Sequence, residues 1–299
     1  MMALDKENNL NQIPKNIGKF LRECMDRNVR EICMTGTNTD PLLYKKTFEL
    51  LDYIRYIMNN KVPIAIRTNA VLYDRNTFGS YDKASITICS FDPEIYVKMM
   101  GSGKPPDLAT ILANHPNMDI KINVVMGPEN VNGGDIFKTL ETLQGMNVRR
   151  VNLREPYGQP HIGDPLEKSG ALFLRKTLGM PTYSWGFSEV TYWDVHYVEV
   201  ESVNLYANGR VSITYPITKG YGPSGEVLPQ FRFPGVGFTN NGYKTRLLKA
   251  STGDSNEICS ARPRCTFRVL AHLRSSRKAS PHTSTTSPDR TSTSGTTHL

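Results

Sequence analysis

The chain has 299 residues, 38% hydrophobic and 21% charged, with a formal net charge of +8. That length can bury one large core or two small ones, and without a long apolar run or a secretory leader a membrane partner is not expected. Residues 251–299 hold seven Lys/Arg and three Asp/Glu, so this tail alone contributes +4, and the mildly basic body implies no specific nucleic-acid partner.

Five cysteines, Cys24, Cys33, Cys89, Cys259 and Cys265, form an odd set without the density of a secreted disulfide scaffold, which fits a reducing, cytoplasmic setting. The first periodic element is a helix over residues 15–28, with Ile17, Phe20, Leu21 and Cys24 on one side. Apolar strands follow at 30–34, 62–67, 85–89, 120–126 and 149–153. Between them, helices are predicted at 41–59, 93–100, 106–114 and 133–146, the first capped by Asp40 and opened by Pro41. Strands alternating with helices imply parallel βαβ units with right-handed crossovers.

Past Leu153 the alternation stops. Residues 155–185, rich in Gly and Pro, read as an extended connection over the mouth of the sheet. Residues 188–198 and 199–206 alternate in β fashion, and Ala207-Asn208-Gly209-Arg210 supplies an Asn-Gly turn that leads to Val211-Ser212-Ile213-Thr214. From residue 251 the chain turns Ser/Thr-rich and loses apolar periodicity. That composition predicts disorder, and its abrupt onset suggests translation in a wrong frame.

The most informative segment is Thr35-Gly36-Thr37-Asn38-Thr39-Asp40-Pro41, a small-residue turn between an apolar strand and a helix. Such a corner lies at the carboxyl edge of a parallel sheet, where backbone N–H groups and a carboxylate can approach a ligand. Thr68-Asn69 ends the next strand, Ser90 the one after. Asn123 lies on the fourth, and Arg154 closes the fifth.

This set of corners over residues 15–166 resembles the radical S-adenosylmethionine superfamily. The resemblance implies an α/β fold: a partial (βα) barrel of parallel strands, N-terminally incomplete, with a small antiparallel β unit after it and a disordered tail. The implied organisation is a barrel over 1–166, a β-rich extension over 167–250 and the tail over 251–299. It also implies that Thr35, Gly36, Thr37, Asp40, Thr68, Asn69, Ser90 and Asn123 contact S-adenosylmethionine. The family's reductive cleavage of that cofactor uses a [4Fe–4S] cluster on a Cys-x3-Cys-x2-Cys loop and an electron donor. No such spacing occurs here, so a truncated or cluster-deficient member is expected.

Each residue also has a simpler reading. Asp40 works as an N-cap ahead of Pro41, Gly36 relieves a turn, Thr68-Asn69 forms a polar turn, and Cys24, Cys33 and Cys89 pack as small hydrophobes. Asp194 and His196, two apart on a strand, share a face and offer an acid/base pair, two metal ligands or a plain hydrogen bond; with Arg154 they are the substrate candidates. Two classes of function remain: a radical S-adenosylmethionine enzyme, and a non-catalytic α/β module for an adenosyl or phosphorylated small ligand.

Overall fold

The computed structural model describes residues 10–36, 40–101, 103–156, 161–194, 202–206 and 209–213, and the backbone of 267–272. Helices α1 (Ile17–Asp26), α2 (Thr47–Ile57), α3 (Arg75–Gly79), α4 (Pro93–Met100), α5 (Leu108–Asn114), α6 (Pro128–Val131) and α7 (Asp135–Gly145) alternate with strands β1 (Glu31–Gly36), β2 (Ile64–Thr68), β3 (Lys83–Ile88), β4 (Asp119–Val125) and β5 (Arg150–Arg154). Strands β6 (Leu172–Thr177), β7 (Met180–Trp185), β8 (Ser188–Trp193), β9 (Ser202–Tyr206), β10 (Val211–Ser212) and β11 (Phe267–His272) follow. All join one sheet in the order β10-β9-β11-β1-β2-β3-β4-β5-β8-β7-β6.

The fold is α/β, and its centre holds six parallel strands, β1-β2-β3-β4-β5-β8. Because β1 to β5 lie side by side in chain order, right-handed crossovers return every helix to the same face. Packing agrees. Ile32, Met34, Ile64, Ile66, Ile86, Ile88, Ile122, Val124, Val151 and Leu153 share one core with Phe20, Leu50, Leu51, Ile54, Ile111, Ile136, Leu140 and Leu143 of the helices. Residues of the other parity, such as Ser85, Lys121, Asn123 and Asn152, make the opposite face polar, since side chains along a strand alternate.

Helix ends follow the sequence closely. Asn28 (φ 49°) and Asn147 (φ 59°) take the left-handed conformation just past α1 and α7, and the next N–H groups, of Val29 and Val148, return to Cys24 O and Leu143 O. Asparagine tolerates that conformation because its short polar side chain bonds locally. The helix expected over 41–59 divides instead into a 3₁₀ turn, Pro41–Leu43, and α2. Strands β9 and β10 pair antiparallel with Val211 opposite Leu205, Ala207 and Asn208 of the expected turn lie outside the described residues, and Asn16 Nδ2 donates to Gly209 O at 2.9 Å, tying the start of α1 to this pair.

Two expectations differ from the structure. The stretch 155–185 is not all connection: β6 and β7 form a hairpin, and a second tight turn leads into β8. Its first turn is Leu178-Gly179, with φ 52° and 85°, and positive φ at both central residues is the type I′ geometry. Leucine at a left-handed position is not a recognisable turn signal, and β6 has exposed Leu172, Phe173 and Leu174 in a row in place of alternation. Gly186 (φ 59°) makes the second turn, where an added Cβ would collide with Gln144. Within the segment expected to be disordered, Phe267–His272 is a strand inserted antiparallel between β1 and β9. Its neighbours supply the ladder that its own surrounding composition does not announce.

Leu178 is 63% exposed, so its left-handed backbone costs about 1 kcal/mol without a packing return. Leu178→Asn is expected to stabilise the chain by roughly that amount, raising the melting temperature by about 3 °C in a thermal scan.

Candidate functional site

The carboxyl ends of the parallel strands lie along one edge, and the corners there are cross-linked by side chains. Asp40 Oδ1 accepts from Leu42 N at 2.9 Å, the capping bond that its position before Pro41 predicts. Its Oδ2 accepts from Thr68 Oγ1 at 2.6 Å and from Asn69 N at 2.9 Å. The carboxylate therefore joins the corner after β1 to the corner after β2. Thr68 Oγ1 in turn accepts from Ala70 N at 2.8 Å, and Ala70 is held at φ 57°, a strained position for a residue with a Cβ. Thr35 and Gly36 flank this network at the end of β1, where the Thr35 hydroxyl donates to Gly36 O at 3.2 Å. Thr37 lies outside the described residues.

Ser90 is fully buried after β3, and its Oγ accepts from Asp92 N at 2.8 Å, shaping the turn into α4. A residue that sequence reasoning missed, Asn130, holds the next corners. Its Nδ2 donates to Cys89 O at 2.7 Å and Val125 O at 2.8 Å, while its Oδ1 accepts from Gly127 N at 2.9 Å. Asn123 sits on the polar face within β4, where Nδ2 donates to Ser85 Oγ at 2.6 Å and Oδ1 accepts from Asn152 Nδ2 at 3.3 Å. In register beyond it come Thr191 and Thr182, whose hydroxyls meet at 3.0 Å, and Thr182 reaches Thr177 at 2.8 Å. A row of hydrogen-bonding side chains thus crosses the polar face.

That face is also basic. Burial first, and then the neighbouring Arg67, Arg150 and Arg154, lower the Lys121 pKa to about 8, against a smaller upward pull from Glu31. Arg150 is paired with Asp119. Arg154, half-buried at the end of β5, is therefore part of a positive group that can neutralise an anion.

A second polar cluster lies at the ends of β5 and β8. Glu155, 3% exposed, accepts at Oε1 from Ile162 N (2.9 Å), Gly163 N (2.9 Å) and the Tyr192 hydroxyl (2.8 Å). His161 Nδ1 lies 3.1 Å from Glu155 Oε2 and 3.6 Å from Asp194 Oδ2. Burial raises the Glu155 pKa, but the bonds from Gly163, Tyr192, Ile162 and His161 outweigh it and hold the carboxylate below its ordinary range. Burial, then the bond to Glu155, pushes the Tyr192 hydroxyl up. The pairing expected for Asp194 was with His196, which lies outside the described residues; the histidine the fold brings to Asp194 is His161. Glu155 was legible as an acid directly after a parallel strand, whereas His161 sits in the stretch read as connection.

The described cysteines do not fit a [4Fe–4S] cluster, which needs thiolates converging on one point. Cys24 packs in the helical core, with burial pushing its thiol to about 12, and Cys89 is pushed by burial to about 11; Cys33 is likewise buried.

Fold and site together define an α/β protein whose parallel strands end in acidic, hydroxyl and basic groups along one edge. No helix among the described residues is long and apolar enough to cross a membrane. No family model matches the chain, and no curated protein matches it. Among solved structures it is similar in part to Streptococcus suis SuiB. SuiB bound to S-adenosylmethionine shares 17% identity at a TM-score of 0.33, over 39% of this chain and 28% of that one. SuiB alone gives 16% and 0.34 over 42% and 29%, and SuiB bound to the precursor peptide SuiA gives 17% and 0.33 over 39% and 27%. The chain spans less than a third of SuiB's length, and overlap of this size leaves the site to be argued from its own residues.

Two outcomes are expected. Asp40→Ala removes three accepted bonds and should cost about 2 kcal/mol in urea denaturation. In a cycle with Thr68→Ala, a coupling of about 1 kcal/mol should appear, because both changes break the same bond. Lys121, with a folded pKa below its unfolded value, binds fewer protons when folded between pH 8 and the ordinary lysine range, so it weakens the fold at neutral pH and this burden fades as pH rises. Lys121→Met should therefore raise the urea midpoint at pH 7, with the gain vanishing above about pH 10.5.

Proposed function

We propose that this chain is the strand-edge core of a radical S-adenosylmethionine superfamily protein and that it binds S-adenosylmethionine across the corners after β1, β2 and β3. The observation that carries this reading is the Asp40 carboxylate bonded to both Thr68 and Asn69. These residues lie 28 and 29 positions apart in sequence. The resemblance assigns all three to one ligand, and the fold gathers them at one point of the edge. Asp40 supplies negative charge for an amine, Ser90 and Asn123 supply hydroxyl and amide groups nearer the sheet, and Arg154 supplies positive charge for a carboxylate or phosphate.

A [4Fe–4S] cluster, where the family has one, would supply an electron to the bound sulfonium. Thiolates for it would have to come from outside the described residues, so the chemistry assigned to these residues is binding and orientation of the nucleoside. The electron donor and the cleavage step belong to the cluster and are not part of the role assigned to this edge.

A second reading is favoured by one observation. The Arg67, Lys121 and Arg154 group suits an anion better than a sulfonium, so an adenosyl or phosphorylated small ligand held without redox chemistry is the alternative.

Equilibrium dialysis of the full chain against labelled S-adenosylmethionine, with ATP and adenosine as competitors, tests the proposal. Saturable binding is expected, weakened at least about tenfold by Asp40→Ala, a loss of about 1.4 kcal/mol. Circular dichroism of the variant shows whether it is folded. Tighter binding of ATP, abolished by Lys121→Met and untouched by Asp40→Ala, would replace the first reading with the second. Absence of saturable binding by any of the three at millimolar ligand overturns both.

A further inference from the structure

We propose that Glu155, His161 and Asp194 form a site for a divalent first-row metal cation at the carboxyl ends of β5 and β8. One ligand atom from each residue lies within 4.8 Å of the others. Metal–oxygen and metal–nitrogen bonds of about 2.1 Å place neighbouring donors about 3.0 Å apart around an octahedral ion and about 3.4 Å apart around a tetrahedral one. His161 Nδ1 stands 3.1 Å from Glu155 Oε2 and 3.6 Å from Asp194 Oδ2, so both donor pairs that include the imidazole are close to the separations that one ion imposes.

The orientation is fixed from behind. Two backbone N–H groups and the Tyr192 hydroxyl occupy Glu155 Oε1, which turns Oε2 toward His161. Hydrogen bonds to the far atom of a ligating carboxylate are the usual means of aiming it at a metal. Both carboxylates are 3% exposed, and burying two negative groups side by side is costly without positive charge between them. A cation between the donors would take the place of the proton that otherwise bridges His161 Nδ1 and Glu155 Oε2. The His161 side chain is 56% exposed, so the cluster is buried on its acidic side and open to solvent on the other. That opening leaves coordination positions for water or for an oxygen of a small ligand. Two carboxylates and one imidazole, without a thiolate, favour Mn²⁺, Fe²⁺ or Zn²⁺ over soft ions such as Cu⁺. The site uses none of the residues assigned to the nucleoside, and its test needs no S-adenosylmethionine.

The full chain, stripped with chelator, is titrated with Mn²⁺ while the free ion is followed by electron paramagnetic resonance. Saturable uptake of about one ion per chain is expected. His161→Ala and Asp194→Asn should each weaken it at least about tenfold, the loss typical of damage to a metal site. The exposed ring makes His161→Ala the safer variant, and its metal-free melting curve should match that of the parent. His161→Gln, which keeps the bulk but not the donor, should be as weak as His161→Ala. Failure to take up Mn²⁺ or Zn²⁺ saturably at millimolar concentration overturns the proposal, as does uptake that neither His161→Ala nor His161→Gln changes.

Discussion

The structure depends on one topological constraint: successive parallel strands placed side by side in chain order, each joined by a right-handed crossover. Such a path cannot alternate faces, so the helices collect on one side and bury one parity of every strand. The isoleucines and valines of β1 to β5 at that parity form a continuous core with α1, α2, α5 and α7. The opposite parity is left without crossover helices, and there the chain places Ser85, Lys121, Asn123 and Asn152. Asn123 and Ser85 on that face are buried all the same, so their polar groups must find partners, and they do so across strands, Asn123 with Ser85 and with Asn152.

The same path aligns the strand ends. Corners that are 28 residues apart become neighbours, and one carboxylate, Asp40, serves as cap for its own turn and acceptor for the next. Asn130 does the equivalent with neutral groups for the corners after β3 and β4. Charge varies along this edge: an acid at the corners of β1 and β2, Arg154 at the end of β5, and an acid cluster with a histidine at β5 and β8, while Lys121 lies deeper on the polar face. A ligand with groups of both signs would meet complementary partners within one edge, which unites the nucleoside reading and the cation site without making either depend on the other.

Much of this was legible because it is local. Alternation of apolar runs with amphipathic stretches gave all five leading strands and most of the helices, and the Asp40-Pro41 pair marked the start of the turn that leads into α2. The β6–β7 hairpin was not legible, since Leu178 is a poor signal for a left-handed turn and β6, at the sheet's edge, has no buried face to impose alternation. The strand Phe267–His272 was hidden for a different reason: it is short, sits in polar surroundings and gains its hydrogen bonds from β1 and β9, distant in sequence.

For the site the division is similar. Gly36, Asp40, Thr68, Asn69 and Ser90 could be named from sequence because each occupies a strand end, and strand ends are fixed by local periodicity. The bond from Thr68 to Asp40, the basic setting of Lys121 and the meeting of His161 with Glu155 and Asp194 could not, because each joins segments separated by other elements. The amino-acid order determined which residues stand at the edge of the sheet; only the folded path decided which of them touch, since proximity there is set by strand order and register, quantities no single segment contains.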